Sequence, residues 1–244
     1  ARGFDTVEKA RAFLSSEESR LADPMAMKDM DRAVARIRRA LADRETIAVY
    51  GDYDVDGITS TVLLTDFLRR EGARVISYIP DRMAEGYGLN HEAVVTLARQ
   101  GVTLIVTVDC GITVSTEADT ARAHGVDLVI TDHHECKAEL PRAAAVVDPH
   151  RPDCGYPFKH LAGVGVVLKL VLALGGEERQ QALLREYADL AAVGTVADVM
   201  KVVGENRTII RLGLESLAHC RRPGLTALLK EAGLEGKELT STAI

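Results

Sequence analysis

The residues best able to do chemistry are acids and histidines at the ends of short apolar runs. The run 46–51 leads into Asp52-Tyr53-Asp54-Val55-Asp56, and later runs end in Asp109, in Asp132-His133-His134 and in Asp148. Three acids within five residues, joined by further acids and adjacent imidazoles, repel one another unless a cation neutralises them. Turn-forming Asp explains one or two strand ends, not four of five. Carboxylates with imidazole and no thiolate suit hard or borderline ions, Mn²⁺ ahead of Mg²⁺. The cluster exceeds what one ion needs. Two divalent cations sharing a bridging Asp are therefore expected, an arrangement that clamps a phosphate and activates water for phosphodiester hydrolysis.

Something must bring these residues together. TIAVYG (46–51), RVISYIP (74–80), TLIVTVD (103–109), DLVITD (127–132) and AAAVVD (143–148) are rich in Val and Ile. Such runs read as parallel strands buried on both faces. Helical spacing lies between them: Val62, Leu63, Leu64, Phe67 and Leu68 form one apolar stripe, and Ala93, Val94, Leu97 and Ala98 another. An amphipathic helix at 28–44 leads into the first strand. After Asp148 only helices are expected, at 163–175, 178–200 and 206–232, with breaks at Gly175-Gly176 and Arg222-Pro223-Gly224. The alternation predicts an α/β fold, an open five-stranded parallel sheet flanked by helices. Residues 1–45 read as a helical lead-in, 46–200 as the catalytic unit and 201–244 as a connecting helical segment. Ligands of such sheets bind outside the carboxyl ends of the strands, where these acids fall.

Composition narrows the function further. The 244 residues are 47% apolar and 27% charged with a net charge of -6, which suits one large or two small units with a real core. No apolar run approaches the roughly 18 residues of a membrane span, and ARGFDTVEK lacks a signal-peptide core. No membrane role and a cytoplasmic setting are expected. Cys110, Cys136, Cys154 and Cys220 are scattered and read as reduced thiols. A zinc site from Cys110 and Cys136 lacks the spacing of structural zinc motifs. There is no P-loop, and Leu168 stands where Gly163-Val164-Gly165 would need the third glycine of a dinucleotide fingerprint. The acidic balance argues against a generic nucleic-acid coat but not against a nuclease core whose acids hold cations. The terminal Ala1 and Ile244 read as cut ends of a longer chain.

Asp132-His133-His134 is the signature of the DHH phosphoesterase family, and the wider set resembles its RecJ-type, single-stranded-DNA exonuclease branch. That set is GDYDVDGITST (51–61), YIPDRMAEGYGLN (78–90), VTVDCGIT (106–113), VITDHHE (129–135), HLAGVGVVLKL (160–170), DLAAVGTVADV (189–199) and GENR (204–207). The resemblance implies a DHH domain joined by a long helix to a second domain, DHHA1, with a G-G-G-H motif. That motif is absent here, so the chain reads as the first domain and is expected to grip long strands weakly.

By the same resemblance Asp54, Asp56, Asp109, His133 and Asp189 are metal ligands, with Asp109 the bridge. Asp52 is a ligand or its close neighbour, His134 faces the substrate phosphate, and Asp132 orients the histidines. Chemistry alone does not choose between Asp189 and its rival Asp198. Arg82 lies in the loop after the second strand, placed for a phosphate contact or a surface ion pair. Asn90 shares that loop. The N–H groups at Gly163 and Gly165 could hold a phosphate or simply allow close packing. Asp148 reads as structural, His91, His124, His160 and His219 as surface groups, and Arg207 as a brace.

The implied activity is 5′→3′ hydrolysis of single-stranded DNA in repair and recombination, by a monomer working beside a helicase and a single-strand-binding protein. The rivals are an oligoribonuclease, a cyclic-dinucleotide phosphodiesterase or a pyrophosphatase, branches that carry a His before the paired acids where this chain has Tyr50-Gly51. A non-catalytic α/β scaffold is the rival of another class, and the full set of acids stands against it.

Overall fold

The computed structural model describes residues 6–7, 21–237 and 239–240. Expectations about the rest of the first twenty residues and about residues 241–244 lie outside the described residues. Helix α1 (Met30–Ala42) precedes β1 (Thr46–Gly51), α2 (Val55–Arg70), β2 (Arg74–Tyr78), α3 (His91–Arg99), β3 (Val102–Val108), α4 (Ser115–Ala123), β4 (Asp127–Thr131) and β5 (Ala145–Val147). Helices α5 (Gly163–Gly175), α6 (Glu177–Ala197), α7 (Gly204–Leu217) and α8 (Pro223–Glu231) follow.

The five strands form one parallel sheet in the order β2-β1-β3-β4-β5. Chain direction across the sheet reverses between β1 and β3, and the crevice at such a switch point is where open α/β sheets bind ligands. Register brings the ends level: Gly51 pairs with Val108, Val108 with Thr131, and Thr131 with Val147. The residues that follow, Asp52, Asp109, Asp132 and Asp148, therefore emerge along one edge.

Strand residues alternate between two cores. Ile47, Val49, Leu104, Val106, Val108 and Val129 pack with α1, α2, α5 and α6. Ala48, Tyr50, Ile105, Ile130 and Val146 pack with α3 and α4. Helix α7 lies on α6, which itself covers α2 and α5. Both faces are thus buried, as the uninterrupted strand sequences require.

One expectation changes in detail. Val62 is not on the apolar stripe of α2: Leu63, Leu64, Phe67 and Leu68 are buried, whereas Val62 faces outward with Val55 and Ile58. Each helical step turns about 100°, so a residue adjacent to a buried one can lie outside. The break expected at Arg222-Pro223-Gly224 divides 206–232 into two helices, because Pro223, lacking an N–H, opens α8 and cannot continue α7.

The helical half is stapled by a buried charge. Lys169, fully buried in the middle of α5, places Nζ 2.5 Å from Glu205 Oε2 in the first turn of α7, and donates to the carbonyl of Ala22 at 2.9 Å. Tyr156 donates its hydroxyl to the same carboxylate at 2.8 Å. Truncating one member of such a pair strands the other charge in a dry interior. Lys169→Met is expected to lower unfolding free energy by about 3–5 kcal/mol, read as a drop in urea midpoint. The double variant Lys169→Met/Glu205→Leu should recover part of that loss. A single variant with the parent midpoint would show that the pair imposes no such constraint.

Candidate metal centre

The turn out of β1 builds the first part of the site. Asp54 caps α2, its Oδ1 accepting the Gly57 N–H at 2.8 Å. The turn is so tight that a Cβ on residue 57 would come within 2.5 Å of the Asp52 carbonyl oxygen. That reversal puts Asp52, Asp54 and Asp56 on three sides of one elbow. Asp52, buried, accepts the Tyr53 N–H. Asp56 turns inward and takes two N–H donors from the first turn of α5, Gly163 at 2.7 Å and Val164 at 2.9 Å. The amino end of α5, read from sequence as a possible phosphate cradle, thus already holds a carboxylate, as the partial positive charge there favours.

Asp109 adopts a left-handed backbone, φ +59°, immediately after β3. A non-glycine residue held there stores strain of a kind that clusters at functional sites. Its N–H bonds the Thr131 carbonyl at 3.0 Å. Gly163 packs so closely against it that a Cβ at 163 would overlap the Asp109 carboxylate. Asp109 Oδ1 is buried without a hydrogen-bond partner, and His133 Nε2 stands 3.1 Å from it. The same imidazole nitrogen lies 3.8 Å from Asp56 Oδ2 and 3.7 Å from Asp198 Oδ2.

Potential ligand atoms within 4.8 Å of one another form three overlapping groups: Asp52 with Asp54 and Asp109; Asp109 with His133 and His134; Asp56 with His133 and Asp198. The shared members are Asp109 and His133. An orphaned buried carboxylate oxygen facing an imidazole, with four further acids in the same overlapping groups, fits a divalent cation. The overlap fits two ions with Asp109 between them.

Asp132 stays outside these groups and organises them. Its Oδ1 accepts the N–H of His133 at 2.8 Å and the Nδ1 of His134 at 2.7 Å, and its Oδ2 accepts the N–H of Ile112 at 2.8 Å. Burial alone would raise this carboxyl. The bond and charge of His134, with the backbone donors, overcome that and hold it below its ordinary value. His134 is pushed up to about 9, first by its hydrogen bond to Asp132. Without bound cations it is therefore charged at neutral pH, with Nδ1 donating to Asp132 and Nε2 left for another partner.

The structure brings together Asp52, Asp54, Asp56, Asp109, Asp132, His133 and His134 but not Asp189. Asp189 is buried in mid-α6, where Oδ2 accepts Arg222 Nε at 2.9 Å and Oδ1 accepts the N–H of Leu190. Arg222 also donates to the Glu186 carbonyl at 2.8 Å and lies over the Tyr187 ring. None of the three groups of potential ligand atoms includes Asp189. The position nearest the cluster on this helix is Asp198, its C-cap. An acid at the negative end of a helix is electrostatically misplaced unless something else requires it, and that was the signal available in the sequence. Arg82 does not reach the acids. Its guanidinium lies 5.2 Å over the Tyr53 ring, Tyr53 meets Tyr87 edge-on at 6.3 Å, and Tyr87 meets His134 at 6.4 Å. These two tyrosines were not singled out by sequence, because isolated aromatics in loops carry no periodic signal. Asp148 accepts the His150 N–H at 2.7 Å beside Cys136 and belongs to none of the three groups.

The crowding has a cost. Burial, then the neighbouring Asp54 and Asp132, push the Asp109 carboxyl up to about 9. Burial and Asp109 likewise raise Asp56 well above its ordinary value. A raised carboxyl binds its proton more tightly folded than unfolded. Its contribution to stability is therefore full below the ordinary value near 3.8 and is lost as pH rises toward 9. The melting temperature of the metal-free protein should accordingly fall as pH rises through the neutral range. Mn²⁺ should restore it, by about 2.7 kcal/mol at a hundredfold excess over Kd, and more at high pH than at low. An Mn²⁺ effect of equal size at acidic and alkaline pH would disconnect the ion from these carboxylates.

The profile of the DHH family, N-terminal domain, matches residues 46–195. The single-stranded-DNA-specific exonuclease RecJ of Bacillus subtilis is 49% identical over 232 residues, covering 95% of this chain and 29% of the relative. That of Escherichia coli is 38% identical over 225 residues, 87% of this chain and 39% of the relative. Among solved structures, a manganese-bound exonuclease RecJ superposes with a TM-score of 0.77 at 36% identity, over 87% of this chain and 54% of that one. RecJ of Thermus thermophilus with Mn²⁺ gives 0.77 at 32% identity, over 96% and 32%. The chain spans less than half the length of these curated relatives. With the sheet order, the elbow after β1 and the Asp132-His133-His134 turn all in place, the chain belongs to the DHH family.

Proposed function

We propose that this chain is the catalytic domain of a metal-dependent exonuclease that removes nucleotides from single-stranded DNA in the 5′→3′ direction. The observation that carries the reading is the overlap of three ligand groups on Asp109 and His133 at the β1/β3 switch point. Kinship with the RecJ exonucleases supports the choice of substrate. Asp52, Asp54, Asp56, Asp109, His133 and Asp198 would hold two divalent cations, Mn²⁺ ahead of Mg²⁺. Such ions supply charge stabilisation to an in-line attack of water on phosphorus. The protein's own part is positional. Asp132 fixes His134 as a cation whose free Nε2 can hold a phosphate oxygen while the P–O3′ bond breaks. Tyr53 and Tyr87, meeting edge-on beside Arg82, offer an unpaired base an aromatic face, and base stacking on such a face contributes about 1–3 kcal/mol per base. A duplex end offers no splayed base to this platform, which suits preference for single strands. Action in the cytoplasm, in DNA repair and recombination, by a monomer beside a helicase and a single-strand-binding protein, belongs to the same reading. No helix among the described residues is long and apolar enough to cross a membrane.

The test compares Asp198→Asn with Asp189→Asn on an end-labelled single-stranded oligonucleotide in Mn²⁺. Asp198→Asn should lower kcat by about a hundredfold or more, because a lost ligand weakens the ion that would stabilise the charge developing on the phosphate, with weakened Mn²⁺ binding by calorimetry. Asp189→Asn should keep Mn²⁺ affinity and lose thermal stability. The reverse pattern would return the ligand role to Asp189, and an inert parent protein would sink the nuclease assignment.

A further inference from the structure

We propose that Glu85 is the positioning residue of the substrate loop, the clip that presets Arg82 and Tyr87 beside the metal centre. The inference rests on the nuclease reading and deepens it. The loop between β2 and α3 runs over the sheet edge with Met83 almost fully exposed and Tyr87 more than half exposed. Buried Pro80 and Leu89 anchor only its two ends, so polar bonds must fix the shape of the stretch between them.

Glu85 supplies them from its centre. Its Oε2 accepts the hydroxyl of Tyr78, the last residue of β2, at 2.5 Å, and the Nδ2 of Asn90 at 3.5 Å. Its Oε1 accepts the N–H of Asp81 at 2.9 Å, and its own N–H bonds the Asp81 carbonyl at 2.8 Å. One carboxylate thus ties together the strand before the loop, the loop's first turn, and the residue that caps α3 through the Ala93 N–H. Tyr78 is itself fixed by stacking on Tyr50 at 5.1 Å, and the Tyr50 hydroxyl holds the Gly88 carbonyl at 2.9 Å. The clip is therefore referenced to β1, the strand that delivers Asp52. The charge state agrees with the geometry. The Tyr78 hydroxyl, then the Asp81 N–H, hold the Glu85 carboxyl below its ordinary value, and Tyr78 is pushed up to about 12, first by that hydrogen bond.

The two residues the clip serves lie on either side of it. Arg82 is three residues before and reaches Tyr53; Tyr87 is two residues after and reaches both Tyr53 and His134. The hydrogen bonds of the Glu85 carboxylate go to Tyr78, Asp81 and Asn90, and to no acid or histidine of the centre. Its effect must pass through the loop and fall on binding of the strand, with the hydrolytic step spared. Neutral Gln cannot replace it fully. Two oxygens accept here, and an amide offers one acceptor and one donor group.

The experiment measures the parent protein, Glu85→Ala, Glu85→Gln and Tyr78→Phe in Mn²⁺ on two substrates, a single-stranded oligonucleotide and bis(4-nitrophenyl) phosphate. The small diester has no strand to lay along the loop, so its rate would report on the metal centre alone. Calorimetry follows Mn²⁺ affinity. For Glu85→Ala, KM for the oligonucleotide should rise about tenfold, the scale of a lost charge-assisted hydrogen bond. Its kcat, its rate on the small diester and its Mn²⁺ affinity should stay within about twofold. Glu85→Gln and Tyr78→Phe should show smaller KM effects of the same kind, and combining them should be less than additive, since they remove one bond. Unchanged KM in Glu85→Ala overturns the proposal. So does a parallel loss on both substrates with weakened Mn²⁺ binding, which would mark a general structural role. Tyr78→Phe, which deletes a single hydroxyl, keeps the test available should Glu85→Ala fold poorly. A parent protein inert on both substrates would instead remove the nuclease reading and the proposal with it.

Discussion

Repulsion among acids is the constraint around which this fold is arranged. Asp52, Asp54, Asp56, Asp109 and Asp198 converge from the ends of two strands and one helix, and Asp132 and Asp148 stand close behind. Nothing in their mutual electrostatics holds them there without cations. The holding is done by backbone: two N–H groups at the head of α5 on Asp56, one on Asp54 from its own helix, and one each on Asp52 and Asp132 from the adjoining residue. Asp109 Oδ1, by contrast, is buried without a hydrogen bond, and it lies at the centre of the overlap. The site is thus satisfied at its edges and unsatisfied at its middle, which is the pattern expected where an ion completes the coordination.

The same constraint explains why a parallel sheet with level ends is needed. Register between β1, β3, β4 and β5 brings residues distant in sequence to one edge, and a slip of one residue would turn each acid to the opposite face. Both faces are covered by helices, and a buried strand hydroxyl such as that of Thr131 turns to backbone, donating to the Thr107 carbonyl. The ionisable groups of the centre are confined to the turns beyond β1, β3 and β4 and to the end of α6.

That confinement decides what could be read from the sequence. The strands, their helices and the acids that follow them were legible, because buried parallel strands announce themselves as apolar runs and the next residue is then located by counting. Residues on helices were not legible in the same way. Asp189 and Asp198 sit nine positions apart on one helix, and only packing shows that the first faces Arg222 and the second faces His133. Val62 failed for a related reason, since one step along a helix separates core from solvent. The loop after β2 was placed at the correct edge, but its order comes from Glu85, an acid indistinguishable in sequence from any surface glutamate.

The Arg222 pairing has a mechanical consequence. Helix α6 carries Asp198 at its end, against the metal centre, and binds the segment leading into α8 near its middle through Asp189, the Glu186 carbonyl and the Tyr187 ring. Glu186 is also paired to Arg70 of α2, and the Tyr187 hydroxyl donates to Asp66 of α2 at 2.9 Å. The point of attachment is thus bolted to the neighbouring helix before any displacement can travel along α6. Like the clamp that takes the load where a cable enters its housing, it lets α8 and whatever α8 engages shift or be tugged while the carboxylate at the far end of α6 keeps its place.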